Sequence, residues 1–116
     1  MVSVKRIFWY RQRTGSEEII EGEYVNLNEA LIILASLPQS PKNPLKGIGE
    51  TIGFQANDGS FLEFEKIGHD KYHVRYENPK ENEYRMGILP YWKARETLID
   101  YFLRKRLRWL DELEPY

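Results

Sequence analysis

The segment Tyr72-His73-Val74-Arg75-Tyr76-Glu77 alternates apolar and polar residues without interruption. A period of two scatters around an α-helix but lines up on the two sides of a half-buried β-strand. Tyr72, Val74 and Tyr76 are therefore predicted to face a core, and His73, Arg75 and Glu77 to face away from it. Neighbouring segments carry the same signal: Thr51 to Ala56, Phe61 to Ile67 and Glu83 to Ile88. Between them stand Asn57-Asp58-Gly59-Ser60, Gly68-His69-Asp70 and Asn78-Pro79-Lys80, whose residue types favour tight turns. Strands separated by short turns pair antiparallel, so this half of the chain is expected to be a four-strand meander. In its last strand Tyr84, Met86 and Ile88 are expected on the core side, which leaves Glu83 and Arg85 on the other.

The first half reads ββα. Residues 2–12 are rich in β-branched and aromatic types, Thr14-Gly15-Ser16 supplies a turn, and Ile19, Ile20, Tyr24 and Val25 follow, which together predict a hairpin. Asn26 and Glu29 have the spacing of a helix-starting pair, each side chain placed to meet the other's backbone amide. Leu27, Ala30, Leu31, Leu34 and Ala35 then follow helical spacing, and Pro38 ends the helix near Leu37. Pro38, Pro41, Pro44, Gly47 and Gly49 mark one long loop. At the other end, Pro90 suits the first position of a helix, predicted to run to about Leu110. Its apolar stripe is Tyr91, Ala94, Leu98, Ile99, Phe102, Leu103, Leu107 and Leu110; Lys93, Thr97, Asp100, Arg104 and Arg108 lie opposite. The basic residues Arg104, Lys105, Arg106 and Arg108 would sit at its carboxyl end, where the helix dipole favours positive charge.

The expected architecture is α+β: one domain over residues 1–116, with an antiparallel sheet of about six strands (ββα-ββββα) and two helices packed on one face. A chain of 116 residues has room for one core. With 41% hydrophobic and 30% charged residues, it is too apolar to stay disordered. A formal net charge of −1 argues against a surface that is basic throughout, as a general nucleic-acid binder would need. No cysteine is present. That rules out disulfides, thiolate metal sites and thiol nucleophiles, and it fits a reducing cytoplasm. The opening residues have no apolar run of signal length, and no stretch has the length of a membrane span, so neither secretion nor membrane insertion is expected.

No catalytic pattern emerges. His69 falls in a turn and His73 on a polar strand face, a spacing that does not bring two imidazoles to one metal. Gly47-Ile48-Gly49 with Gly53 superficially resembles a phosphate loop, but a strand rather than a helix follows, so these are read as turn glycines. The carboxylate pairs Glu63 with Glu65 and Glu81 with Glu83 lie two apart in strands and read as solvated sheet positions rather than a glycosidase pair. Two basic stretches interleave with aromatics, Lys5 to Arg13 and Arg104 to Trp109, a composition used in single-strand nucleic-acid binding. Neither metal nor cofactor is expected. The candidate partner surface is the outward face of the meander, Glu63, Glu65, His73, Arg75, Glu83 and Arg85, or the proline-rich loop. Such residues also form plain solubilising charge ladders, but abundant tyrosine and tryptophan favour recognition.

Tyr72-His73-Val74-Arg75-Tyr76, then Tyr101-Phe102-Leu103 and Leu107-Arg108-Trp109-Leu110-Asp111-Glu112-Leu113, resemble bacterial immunity proteins of the first numbered polymorphic-toxin immunity family. The likeness spans about residues 24–113, and its most telling part is the tail, where a Leu-x-Trp segment and acidic residues follow the last helix. The resemblance implies a small cytoplasmic protein without enzymatic activity that binds a cognate toxin and blocks it. The alternative from the residues themselves is a small nucleic-acid-binding protein that uses the two aromatic-basic clusters.

Overall fold

The computed structural model describes residues 6–43, 45, 47 and 49–116. Residues 2–5, where the first strand was expected to begin, lie outside the described residues, as do Pro44 and Ile48 of the loop. The strands are β1 (Ile7–Arg13), β2 (Ile19–Val25), β3 (Glu50–Gln55), β4 (Phe61–Gly68), β5 (Lys71–Asn78), β6 (Glu83–Leu89) and β7 (Glu114–Pro115), with helices α1 (Leu27–Ala35) and α2 (Tyr91–Phe102). They form one antiparallel sheet in the order β2-β1-β3-β4-β5-β6-β7. The α+β arrangement and the meander β3-β4-β5-β6 match the expectation from sequence. The seventh strand, only two residues long, was not anticipated.

Each turn of the meander has a local cause. Gly59 takes φ 86° in the β3–β4 turn, Asp70 takes 54° in the next and Asn82 takes 52° before β6, and these residue types tolerate the left-handed region best. Asn26 caps α1 as its spacing predicts: its side chain accepts from Glu29 N–H at 2.9 Å, and the Glu29 carboxylate accepts from Asn26 N–H at 3.0 Å. The helix ends at Ala35, slightly before the expected boundary. Pro90 sits just before the first helical residue of α2, and Asp70, from the β4–β5 turn, accepts from Tyr91 N–H at 2.7 Å.

The core lies between the helices and one face of the sheet. Ile7, Trp9, Ile52, Phe54, Leu62, Phe64, Tyr72, Val74 and Leu89 meet Ala30 and Leu34 of α1 and Ala94, Leu98, Tyr101 and Phe102 of α2. Burial of these side chains is the main stabilising term, about 1.5–3 kcal/mol for each fully buried large apolar residue.

The carboxyl-terminal third departs from the expected single helix. α2 stops at Phe102, and Arg104 adopts φ 57°. Arg104 N–H donates to Tyr101 O at 3.3 Å and Lys105 N–H to Asp100 O at 3.0 Å, the paired bonds of a Schellman C-cap. The chain then reverses. Leu107, Leu110 and Leu113 are buried against the same core from this returning segment, so their spacing mimics a continued helical stripe without being one. The return also covers the flank of α2 expected to be polar and exposed: Thr97 and Asp100 are buried.

Candidate functional site

The sheet face turned away from the helices is covered by no described element, and its residues are set by register. Directly paired positions run across the whole sheet as Gly22, Tyr10, Gly53, Glu63, Arg75, Met86 and Glu114. A parallel row joins Glu65, His73 and Ile88, and another joins Tyr24, Phe8, Gln55, Phe61, Glu77 and Tyr84. Opposite neighbours in a sheet share a face. Glu63, Glu65, His73 and Arg75 therefore share the open face, as expected.

Glu83 and Arg85 do not. Register pairs Arg85 with Tyr76 and Glu83 with Asn78, on the side of the helices. Glu83 and Arg85 form an ion pair at 3.5 Å, and Arg85 Nη1 donates to the carbonyls of Leu113 at 3.0 Å and Leu110 at 3.4 Å. Arg85 thus fastens the returning tail. The residues of β6 that do face outward are Tyr84, Met86 and Ile88, the reverse of what their hydrophobicity predicts. The alternation in this strand was real, but near the sheet margin the outer face is itself apolar and aromatic, so hydrophobicity indicated the wrong side.

At the centre of the face, Arg75 Nε donates to Glu63 Oε1 at 2.8 Å and Nη2 donates to the same oxygen. Glu63 is 8% exposed, sunk between the sheet and its neighbours, whereas the Arg75 guanidinium remains accessible. The guanidinium stands 5.0 Å from the Phe61 ring centroid, a cation–π contact, and its Nε is 4.0 Å from Glu77. Glu77 accepts a short hydrogen bond from the Tyr116 hydroxyl. On the other side the Tyr10 ring lies flat over Gly53, where an added Cβ would fall 2.1 Å from the ring. Gly53 is thus a close-approach position within β3, not a turn glycine. Burial and the Glu63 carboxylate together push the Tyr10 phenol well above its ordinary range. Glu65 is drawn to the margin by Thr14, whose hydroxyl donates to it at 3.1 Å. The β1–β2 turn and these strands enclose an open cleft of about 480 Å³, with Gln12, Arg13 and Glu17 at its rim and Phe61, His73, Arg75 and Met86 at its floor.

A second cleft, about 510 Å³, opens beyond the end of α2 between Asp58, Ser60, Tyr76, Tyr101 and the Arg104–Leu107 segment, with Glu81 and Glu83 opposite. Several of its polar groups are paired within the fold, although the buried Asn78 Oδ1 has no partner among the described residues. The Tyr101 hydroxyl accepts from Ala56 N–H at 3.1 Å and donates to Ser60 O at 3.0 Å, and Arg104 pairs with Asp58 at 3.1 Å.

The aromatic-basic stretches are partly engaged within the fold, while Arg13 and Lys105 are exposed and form no ion pair among the described residues. Trp9 and Tyr10 are buried. Arg11 lies 3.4 Å from Glu21 and 3.0 Å from Glu50, Arg6 is 3.9 Å from Glu29, and Lys5 lies outside the described residues. At the other end Arg108 pairs with Asp100 and Glu96 at 2.8 and 2.5 Å, while Arg106 is 3.6 Å from Asp111. Among the described residues no three His, Asp or Glu side chains are placed to hold a metal ion, and no helix is long and apolar enough to cross a membrane.

Sequence reasoning missed Tyr10, Phe61 and Tyr116 as members of the face, whereas Glu77 faces outward as its alternation with Tyr76 predicts. Tyr10 and Phe61 had a usable signal: each is one position away from a core residue in a strand, Trp9 or Leu62, and so must point outward. Tyr116 had none, because β7 is too short to carry a period. Compared with protein-family models, curated proteins and solved structures, the chain matches none.

Proposed function

We propose that this chain is a non-enzymatic protein-binding domain, an immunity-type protein that acts in the cytoplasm and neutralises a cognate bacterial toxin by binding it. The observation that carries this reading is the uncovered sheet face: an accessible arginine held by a buried glutamate, with Phe61, Tyr84, Met86, Ile88 and Tyr116 around it. Rigid arginine and aromatic groups are what interface hot spots are made from, because they bury area at little cost in side-chain freedom. The toxin as the partner rests on the family resemblance of the tail; protein binding rests on the face itself. Nucleic-acid binding receives less support, since Arg11, Arg104 and Arg108 each already pair with a carboxylate within about 3.1 Å and phosphates would have to displace those partners.

The test is recovery of the tagged chain from its native host, with identification of what survives a high-salt wash and assay of that protein's toxicity with and without the chain. A single retained protein, neutralised by the wild type and released by Arg75→Glu, is the expected result. Recovery of nucleic acid alone, lost on raising salt, overturns it.

A further inference from the structure

The two margins of the sheet differ. On the β7 side, the two-residue β7 pairs with Arg85 and Met86, Tyr116 N–H donates to Tyr84 O at 3.0 Å, and Pro115 has no amide to offer a further strand. On the β2 side, Ile19 to Val25 contain no proline, and among the described residues no strand pairs with their outer edge. Every residue from Ile19 to Tyr24 is exposed. A long margin of unpaired amides and carbonyls is a template for another strand, and proteins blunt such edges unless they use them.

Side-chain placement selects the occupant. Glu21 and Glu23 occupy the helix-side face of β2, while Gly22 and Tyr24 occupy the open face, with Tyr24 58% exposed and packed edge-on against Phe8. Consider a second copy laid antiparallel along β2 with both open faces on one side. Centred on Gly22, it sets Glu21 against Glu23 twice; centred on either glutamate, it sets that residue against itself. Like charges directly opposite disfavour pairing, so these self-pairing registers are disfavoured. Arg11 partly neutralises Glu21 at 3.4 Å, and among the described residues no cation lies within 4 Å of Glu23.

We propose that the outer edge of β2 is a docking site for an extended segment of a partner protein, added as a further strand, whose side chains alternate between basic and apolar. Basic residues meet Glu21 and Glu23; apolar ones extend the Phe8–Tyr24 surface. The inference rests on the reading of this chain as a protein-binding domain, but neither on a toxin as partner nor on Arg75 as a contact.

The probe is a synthetic peptide of about eight residues alternating Lys and Val, compared with one alternating Glu and Val, each added to the full chain. Amide hydrogen exchange and backbone chemical shifts locate the contact. The Lys–Val peptide is expected to protect amides within Glu21–Val25 and to bind about tenfold tighter than its acidic counterpart. The double variant Glu21→Lys/Glu23→Lys, checked for an unchanged fold by circular dichroism, should invert that preference. No protection of β2, equal affinity for the two peptides, a footprint confined to the residues around Arg75, or dimerisation of the chain without peptide overturns the proposal. If the host partner is retained equally by the wild type and the charge-reversed variant, the edge proposal fails while the protein-binding reading stands. Failure to retain any protein counts against that reading, and the peptide preference still decides the edge.

Discussion

Asp100 accepts three hydrogen bonds from Arg108: one from its backbone N–H at 3.0 Å, one from Nε at 3.0 Å and one from Nη2 at 2.8 Å. Asp100 is 2% exposed, so the carboxylate anchors the chain after its reversal at Arg104. Burial alone would raise its pKa, but the side-chain and backbone hydrogen bonds from Arg108 outweigh it and hold the carboxyl below its ordinary 3.8. Asp100→Ala is expected to lower unfolding free energy by about 1–3 kcal/mol, measured by urea denaturation near neutral pH. A depressed carboxylate stabilises the fold above the unfolded pKa and ceases to as pH falls through the folded one. The gap between wild type and variant should therefore begin to narrow below about pH 4 and be gone once pH has fallen through the lower folded value. A gap that persists there would remove the ionised carboxylate as its cause.

The same turn region carries a tyrosine with the opposite pH sign. Burial pushes the Tyr101 phenol up to about 12, against hydrogen bonds from Ser60 and Ala56 that favour its ionised form. The neutral phenol is thus the form the fold prefers. Its contribution is complete below an ordinary phenol pKa of 10.0 and is lost as pH rises through about 12. Stability should fall over that interval, and Tyr101→Phe should lessen the fall while costing about 1–2 kcal/mol near neutrality through the hydrogen bonds it removes. Denaturation curves for both proteins across that interval check the sign.

What could be read beforehand follows from how local each signal is. Tyr72, Val74 and Tyr76, the Asn26–Glu29 pair and Asp58-Gly59 act within a few residues, and the strands, helix start and turn they imply are present. The end of α2 is not local. Arg104 in a left-handed conformation has no sequence signature, since glycine or asparagine is the usual choice there, and the reversal is anchored by Asp100 reaching Arg108. Leu107 and Leu110 then kept helical spacing by coincidence of burial. The site was half legible for a related reason. Glu63 and Arg75 fall outward from strands with a clean alternation, whereas in β6 the apolar set Tyr84, Met86 and Ile88 is the outward one, and only its register against β5 places Arg85 inward.

Glu63 and Arg75 should couple energetically. Glu63 is buried and Arg75 is not, so the pair is more than a surface contact yet remains open to solvent on one side. A double-mutant cycle of Glu63→Gln and Arg75→Met is expected to give a coupling energy of about 1 kcal/mol. Salt should reduce it only modestly, because one partner is shielded from counterions. Near-zero coupling would mean the two side chains part in solution, and would weaken the case for a preset arginine on this face.

Gly53 tests whether the Tyr10 ring is held as tightly as the geometry indicates. An added Cβ would fall 2.1 Å from Tyr10 Cζ and 2.3 Å from its hydroxyl oxygen, closer than any unstrained contact. Tyr10 is only 8% exposed, so the ring cannot swing aside without uncovering apolar surface and leaving Glu63. Gly53→Ala is therefore expected to destabilise the fold by about 1–3 kcal/mol, although alanine is ordinarily no worse than glycine in a strand interior. Removing the obstruction should reverse the sign: in a Tyr10→Ala background the same substitution should be neutral or mildly stabilising, because the alanine then limits only the unfolded chain. Chemical denaturation of the four proteins decides it, and equal costs in both backgrounds would show that the ring does not lie over Gly53.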